Sequence, residues 1–264
     1  EYNGLGYSGT NSGGPLYITS SIFRNNKGGL APNTLDSELL PPERETFIIG
    51  NLIENNNNYN SPATNSTYLS YGNGVVIAGG NNNIIKNNVI VDHDLYGVIL
   101  TASMDVNYWP AHGNRVEENL ILSSRKADIA VSGVSNLANC FEGNYFNTSI
   151  PPGLQALNGC ENNIIPLSAD LSGLWSTIAR LIYANTGDFY QDDWRTLPAP
   201  EQQENMPIMQ EIIDANDNGQ YELGFYQYLP SFRNSVKPAV NVYEDYKYTL
   251  EDVQLPQEAI KYLN

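Results

Sequence analysis

Two carboxylates flank an imidazole at Asp92-His93-Asp94, the end of the run NNNIIKNNVIVDHD. Neighbouring carboxylates raise the pKa of an imidazole, and a histidine so placed can exchange protons near neutral pH. Laid over the segment 31 residues further on, the three residues fall against Ser123, Ser124 and Arg125. The Arg125 guanidinium could then hold a substrate carboxylate. The same residues also read as an ordinary polar turn with one Asp–Arg pair between neighbouring repeats. Glycoside hydrolysis requires two carboxyl groups at a defined distance across the scissile bond. Asp92 and Asp94 lie two apart on one turn and Asp128 one repeat away, so the spacing permits such a pair without requiring it.

A second group lies in the stretch 101–113, TASMDVNYWPAHG. Tyr108, Trp109 and His112, with Asp105, could form an aromatic platform for a sugar ring; alternatively, Trp109 packs the loop onto the scaffold. The stretch 31–44, APNTLDSELLPPER, leaves the repeat at the equivalent corner, and the connection between the two, AGGNNN, is short. Two long loops flanking a short one are expected to wall a groove. Farther on, Asp214, Asn216 and Asn218 of DANDNGQYE take the first, third and fifth places of a calcium loop. The twelfth place is Phe225 in place of the bidentate Glu, so an Asx-rich turn competes with a Ca²⁺ site. No other cofactor is indicated. Asn65 and Asn147 open glycosylation sequons.

The elements that position these groups are repeats. Asn83 to Leu100 (NIIKNNVIVDHDLYGVIL) aligns without a gap on Asn114 to Val131 (NRVEENLILSSRKADIAV), and further copies are FIIGNLIENN, CFEGNYFNTS and LYITSSIFRNN. Apolar alternation over three to five residues, broken by Asn and Gly, predicts short strands. The anchors Ser21, Asn51, Asn88, Asn119 and Asn144 stand 30, 37, 31 and 25 residues apart, the uneven spacing of a solenoid with loops of different length. Asn tolerates left-handed backbone angles at such corners, and stacked amides can form a ladder that satisfies buried polar groups.

GVVI, GVIL and DIAV strands between NxI-type coils resemble the right-handed parallel β-helices of the pectin-lyase-like superfold. More narrowly, GYSGTNSGG, FRNNKGGLAPNTLDSELLPPER, YGNGVVIAGGNNN, GNRVEENLIL and NCFEGNYFNTSIPP, within Gly6 to Cys160, resemble bacterial secreted β-helix repeat proteins. The resemblance implies an all-β right-handed parallel β-helix over residues 1–166 and a place outside the cell or on its surface. It carries no assigned activity. Enzymes of the superfold act with Arg or Lys bases, Ca²⁺-binding carboxylates or clustered aspartates. AHGNR (Ala111 to Arg115) lacks the motifs that would surround a polygalacturonase centre, and no roles are transferred to it.

The remainder of the chain departs from the repeat. Leu171, Leu174, Trp175, Ile178, Leu181 and Ile182 recur at helical spacing behind Ser168 and Asp170, predicting a capping helix over 167–186. Residues 187–264 are acidic and rich in Pro and Tyr. They read as an extended arm that wraps its own solenoid or grips a neighbour, whether a second copy or another surface protein. Cys140 and Cys160 are expected to form a disulfide, with two unrelated buried thiols as the alternative. Glu1 suggests a processed or trimmed chain, and the Gly-rich start suggests further coils, a stacked subunit or a segment folded back over it.

A net charge of -16, from 13 Lys plus Arg against 29 Asp plus Glu, excludes an electrostatic footprint for nucleic acid. No apolar run is long enough to span a membrane. The expected function is a non-catalytic extracellular β-helix with a structural or surface-binding role. The alternatives are a polysaccharide lyase or hydrolase, or a carbohydrate-binding module, using a groove beside 101–113.

Overall fold

The computed structural model describes residues 1–36, 39–61, 70–104, 106–132, 138–161 and 253–263. The predicted helix at 167–186, most of the arm at 187–264 and the Asp214, Asn216, Asn218 loop lie outside the described residues.

The chain repeats one short circuit. The first coil is β1 (Leu5–Thr10), β2 (Gly13–Thr19) and β3 (Ile22–Arg24), and the second is β4 (Gly28–Asn33), β5 (Arg44–Ile49) and β6 (Leu52–Glu54). The third is β7 (Val75–Ala78), β8 (Ile84–Lys86) and β9 (Val89–Val91). The fourth starts with β10 (Tyr96–Thr101), leaves through a hairpin of β11 (Ser103–Met104) and β12 (Tyr108–Trp109), and resumes with β13 (Arg115–Glu117) and β14 (Leu120–Leu122). The fifth is β15 (Ala127–Ser132), β16 (Cys140–Glu142) and β17 (Tyr145–Phe146), after which come β18 (Ser149–Ile150) and one helical turn, α1 (Leu154–Leu157).

Corresponding strands of successive coils pair in parallel. β1-β4-β7-β10-β15-β18 form the first sheet, β2-β5-β8-β13-β16 the second and β3-β6-β9-β14-β17 the third. Three parallel sheets visited in turn by a mostly β chain are compatible with a parallel β-helix. The inner faces supply one continuous core, with Leu30, Ile77 and Leu100 from the first sheet, Ile48, Ile85 and Phe141 from the second, and Ile53, Ile90 and Ile121 from the third. Each such buried side chain contributes about 1.5–3 kcal/mol.

Two boundaries differ from the sequence reading. β4 runs on to Asn33 and β5 begins at Arg44, so the first long loop is shorter than 31–44. The second is a β-hairpin rather than an irregular loop, with Ser103 opposite Trp109 and Met104 opposite Tyr108.

Ser21, Asn51, Asn88, Asn119 and Asn144 form a continuous row between the second and third sheets, half-buried at Ser21 and buried at the four asparagines. Each main-chain N–H donates to the next Oδ1, from Ser21 to Asn51 (3.0 Å), Asn51 to Asn88 (2.9 Å), Asn88 to Asn119 (2.9 Å) and Asn119 to Asn144 (3.1 Å). Each amide Nδ2 also donates to a strand carbonyl, as Asn88 does to Ile48 (2.8 Å). The left-handed angle belongs to the residue before each rung, contrary to the expectation that the asparagines themselves adopt it. Ser20, Gly50, Asn87, Glu118 and Gly143 have φ of 49°, 68°, 53°, 53° and 63°. The strain of roughly 1–2 kcal/mol at each non-glycine is offset by the rung that follows.

The row ends on Gln155, whose Oε1 accepts from Asn144 N (3.0 Å) and Nδ2 (2.8 Å), while Leu154 is buried in the core. Cys140 and Cys160 are disulfide-bonded across the same end. The segment Val253–Leu263, with a 3₁₀ stretch at Gln257–Tyr262, lies on the outer face of the third sheet, where Ala259 is buried with Leu52, Val89 and Val91. Among the described residues, no helix is long and apolar enough to cross a membrane.

Candidate functional site

The Asp92-His93-Asp94 turn joins the third sheet to the first, five residues beyond the Asn88 rung. The same step of five runs from Ser21 to Asn26, Asn51 to Asn56 and Asn119 to Ser124. These positions form a second row. Asn26 donates its N–H (3.2 Å) and Nδ2 (2.9 Å) to Asn56 Oδ1, and Asn56 Nδ2 donates to the Phe23 carbonyl (3.0 Å). His93 occupies the next rung, where Nε2, as the N–H tautomer, donates to the Ile53 carbonyl at 3.3 Å. It thus does what an asparagine amide does elsewhere, and Asp92 (φ 60°) fills the left-handed slot before it.

Space for this row comes from a file of glycines. Gly6, Gly29, Gly74 and Gly97 lie in register across the first sheet, and Asp128 is the fifth member. A Cβ at Gly74 would stand 2.7 Å from His93 Nε2, and one at Gly97 3.0 Å from Ser124 Oγ. Asp128 is buried and closes the row. Its Oδ1 accepts from Ser124 N (3.0 Å), and its Oδ2 accepts from Asn147 N (2.9 Å) and Thr148 N (3.0 Å).

His93 is 2 % exposed, and burial pushes its pKa down to about 4, the reverse of the rise expected from flanking carboxylates. Asp94 raises it only as a minor influence, and Asp92 is exposed. The expected Asp–Arg pair is also different. Arg125 Nε donates to the main-chain carbonyl of Asp94 at 3.2 Å, while the Asp94 carboxylate accepts from Tyr71 Oη at 2.7 Å. Burial and that carboxylate push the Tyr71 phenol up to about 12. His93 Nδ1 and Ser124 Oγ are buried without a protein partner among the described residues.

The other sequence-selected residues lie at the opposite end of β10, a six-residue strand that separates the two groups by about 20 Å. Asp105 lies outside the described residues. Tyr108 is 42 % exposed, and His112 is exposed with its backbone bridged to Asn81. Trp109 Nε1 donates to Asp36 Oδ1 at 3.1 Å, and Asn107 donates its N–H (2.7 Å) and Nδ2 (2.6 Å) to the same carboxylate. These donors hold the Asp36 carboxyl below its ordinary range. The two long loops therefore lean together across Gly79, whose added Cβ would meet Trp109 and Ser103 at 2.9 Å. Asp36→Ala is expected to free Trp109, shifting its emission to the red and increasing its quenching, with little change in melting. A Trp109→Phe control isolates the signal; unchanged emission would mean that other contacts hold the hairpin.

Sequence reasoning passed over Glu43. It is fully buried beside a third row, in which Asn83, Asn114 and Asn139 each precede a ladder residue by five positions. Its Oε1 accepts from Thr46 Oγ1 (2.6 Å), its Oε2 from Asn83 Nδ2 (2.9 Å), and a Cβ at Gly80 would lie 2.0 Å from Oε2. Burial pushes its pKa up to about 7, against the opposing pull of those hydrogen bonds and Arg44. The five-residue step was visible in NIIKNN and NRVEEN; nothing in PPERET marks Glu43 as interior. The one cluster of ligand-type side chains among the described residues, Glu117 with Cys140 and Cys160, has both sulfurs in the disulfide. Compared with known proteins, the chain matches no family model, no curated protein and no solved structure.

Proposed function

We propose that the chain is a right-handed parallel β-helix of the pectin-lyase-like kind. In this reading it works outside the cell as a non-catalytic scaffold or surface-binding module and assembles through its C-terminal residues. The observation that carries it is the position of His93. A rung in a buried row, with its imidazole neutral and its Nε2 spent on the Ile53 carbonyl, is poorly placed to exchange protons with a substrate. The engagement of Asp94 by Tyr71, and of Trp109 by Asp36, supports the same reading. The Cys140–Cys160 disulfide supports an oxidising compartment.

The test is turnover across acidic and neutral glycans, with and without Ca²⁺, and no cleavage is expected. Cleavage that disappears in Asp94→Asn, in a variant that still folds, would replace this reading with a hydrolase or lyase. Binding without cleavage, lost in Trp109→Ala, would identify a carbohydrate-binding module.

A further inference from the structure

We propose that the second row, the one through Asn26, Asn56, His93 and Ser124, binds one buried water molecule between its last two rungs. Its partners are the His93 N–H, the Ile90 carbonyl and the Ser124 hydroxyl.

All four rungs occupy the same backbone position. The residues before them, Asn25, Asn55, Asp92 and Ser123, have left-handed φ of 58°, 49°, 60° and 62°. From that position an asparagine makes two kinds of bond. Its Oδ1 accepts the N–H of the preceding rung, as Asn56 does for Asn26 at 3.2 Å. Its Nδ2 donates to the carbonyl three residues before that rung, as Asn56 does to Phe23 at 3.0 Å. Asn119, in the row through Asn88, likewise takes the Asn88 N–H at 2.9 Å and donates to the Ile85 carbonyl at 2.8 Å. His93 keeps the donation, through Nε2 to the Ile53 carbonyl.

By the same pattern, the side chain at 124 should serve the His93 N–H and the Ile90 carbonyl, and the serine serves neither. Its Oγ is buried without a protein partner, and the His93 N–H has no acceptor among the described residues. Ile90, His93 and Ser124 are 0 %, 2 % and 9 % exposed, so bulk solvent does not supply the partners. Buried N–H groups left unpaired are costly and rare. Serine carries a hydroxyl where asparagine carries a whole carboxamide, and the difference is about the size of one water. The surroundings are otherwise those of an asparagine rung. An added Cβ at Gly97 would lie 3.0 Å from Ser124 Oγ, as one at Gly6 would lie 3.2 Å from Asn26 Nδ2. A water there accepts from His93 N–H, donates to the Ile90 carbonyl and bonds Ser124 Oγ. Three partners are the usual number for a buried water. Beyond it, Ser124 N donates to Asp128 Oδ1 at 3.0 Å, so the row closes normally after this one step.

Nuclear Overhauser spectra of the full isotope-labelled chain, with the water resonance selectively excited, test this. The His93 amide is expected to show a cross-peak to a long-lived water, with the sign of a dipolar contact and not of proton exchange. Ser124→Ala should keep that cross-peak, which rules out relay through the serine hydroxyl. Ser124→Asn should remove it, because the carboxamide takes over both hydrogen bonds. Releasing an ordered water recovers its immobilisation entropy, so Ser124→Asn should also lower the unfolding constant by roughly tenfold and raise the urea midpoint. A native chain whose His93 amide shows no water contact overturns the proposal. Loss of the contact in Ser124→Ala does so too, as does its survival in folded Ser124→Asn or a midpoint there that fails to rise.

Discussion

Asn88→Ala is expected to destabilise the protein by roughly 4 kcal/mol, because it strips two buried backbone groups of their partners at about 1–3 kcal/mol each and opens a small void. The Asn51 N–H loses its acceptor at 2.9 Å, and the Ile48 carbonyl loses its donor at 2.8 Å. Water cannot compensate, since Asn51 and Asn88 are 0 % and 1 % exposed. Gln155→Ala, at the half-exposed end of the same row, should cost only about 1 kcal/mol because solvent can reach the freed Asn144 donors. Urea midpoints at constant slope measure both. Equal losses in the two variants would mean that the row acts rung by rung without regard to burial.

The contrast between these rungs also explains what could be read from the sequence. Asn51, Asn88, Asn119 and Asn144 share one residue type at one place in the repeat, and alternation on either side marks the strands. The row through Asn26 and Asn56 was obscured because His93 and Ser124 replace the amide in the next two coils. A histidine between aspartates then looked like chemistry, although its surroundings are those of an asparagine. The pairing of Asp36 with Asn107 was hidden for a different reason. The residues are 71 apart, and their meeting depends on how two loops lean across a third coil. The contact of Tyr262 with Glu54, 208 residues away, has no local signature at all.

His93→Asn and Glu43→Gln should give the protein opposite pH dependences that cancel in the native chain. His93 titrates at about 4 when folded, against an ordinary 6.5, so between those values the unfolded chain binds the extra proton and stability rises with pH. Glu43 titrates at about 7 when folded, against an ordinary 4.5, so there the folded chain binds the extra proton and stability falls with pH. The windows overlap from pH 4.5 to 6.5, where each slope reaches about 1.4 kcal/mol per pH unit. Removing the histidine leaves the glutamate's decline, and removing the glutamate leaves the histidine's rise. Each single variant should therefore diverge from the native chain by roughly 2–3 kcal/mol across the overlap, in opposite senses. The double variant should again run parallel to the native chain. Carboxyls held low by hydrogen bonds, such as Asp36 and Glu54, titrate alike in every variant and drop out of the differences. Urea midpoints taken through this window decide the matter. Parallel curves for the two single variants would show that neither group keeps its shifted proton affinity inside the coil.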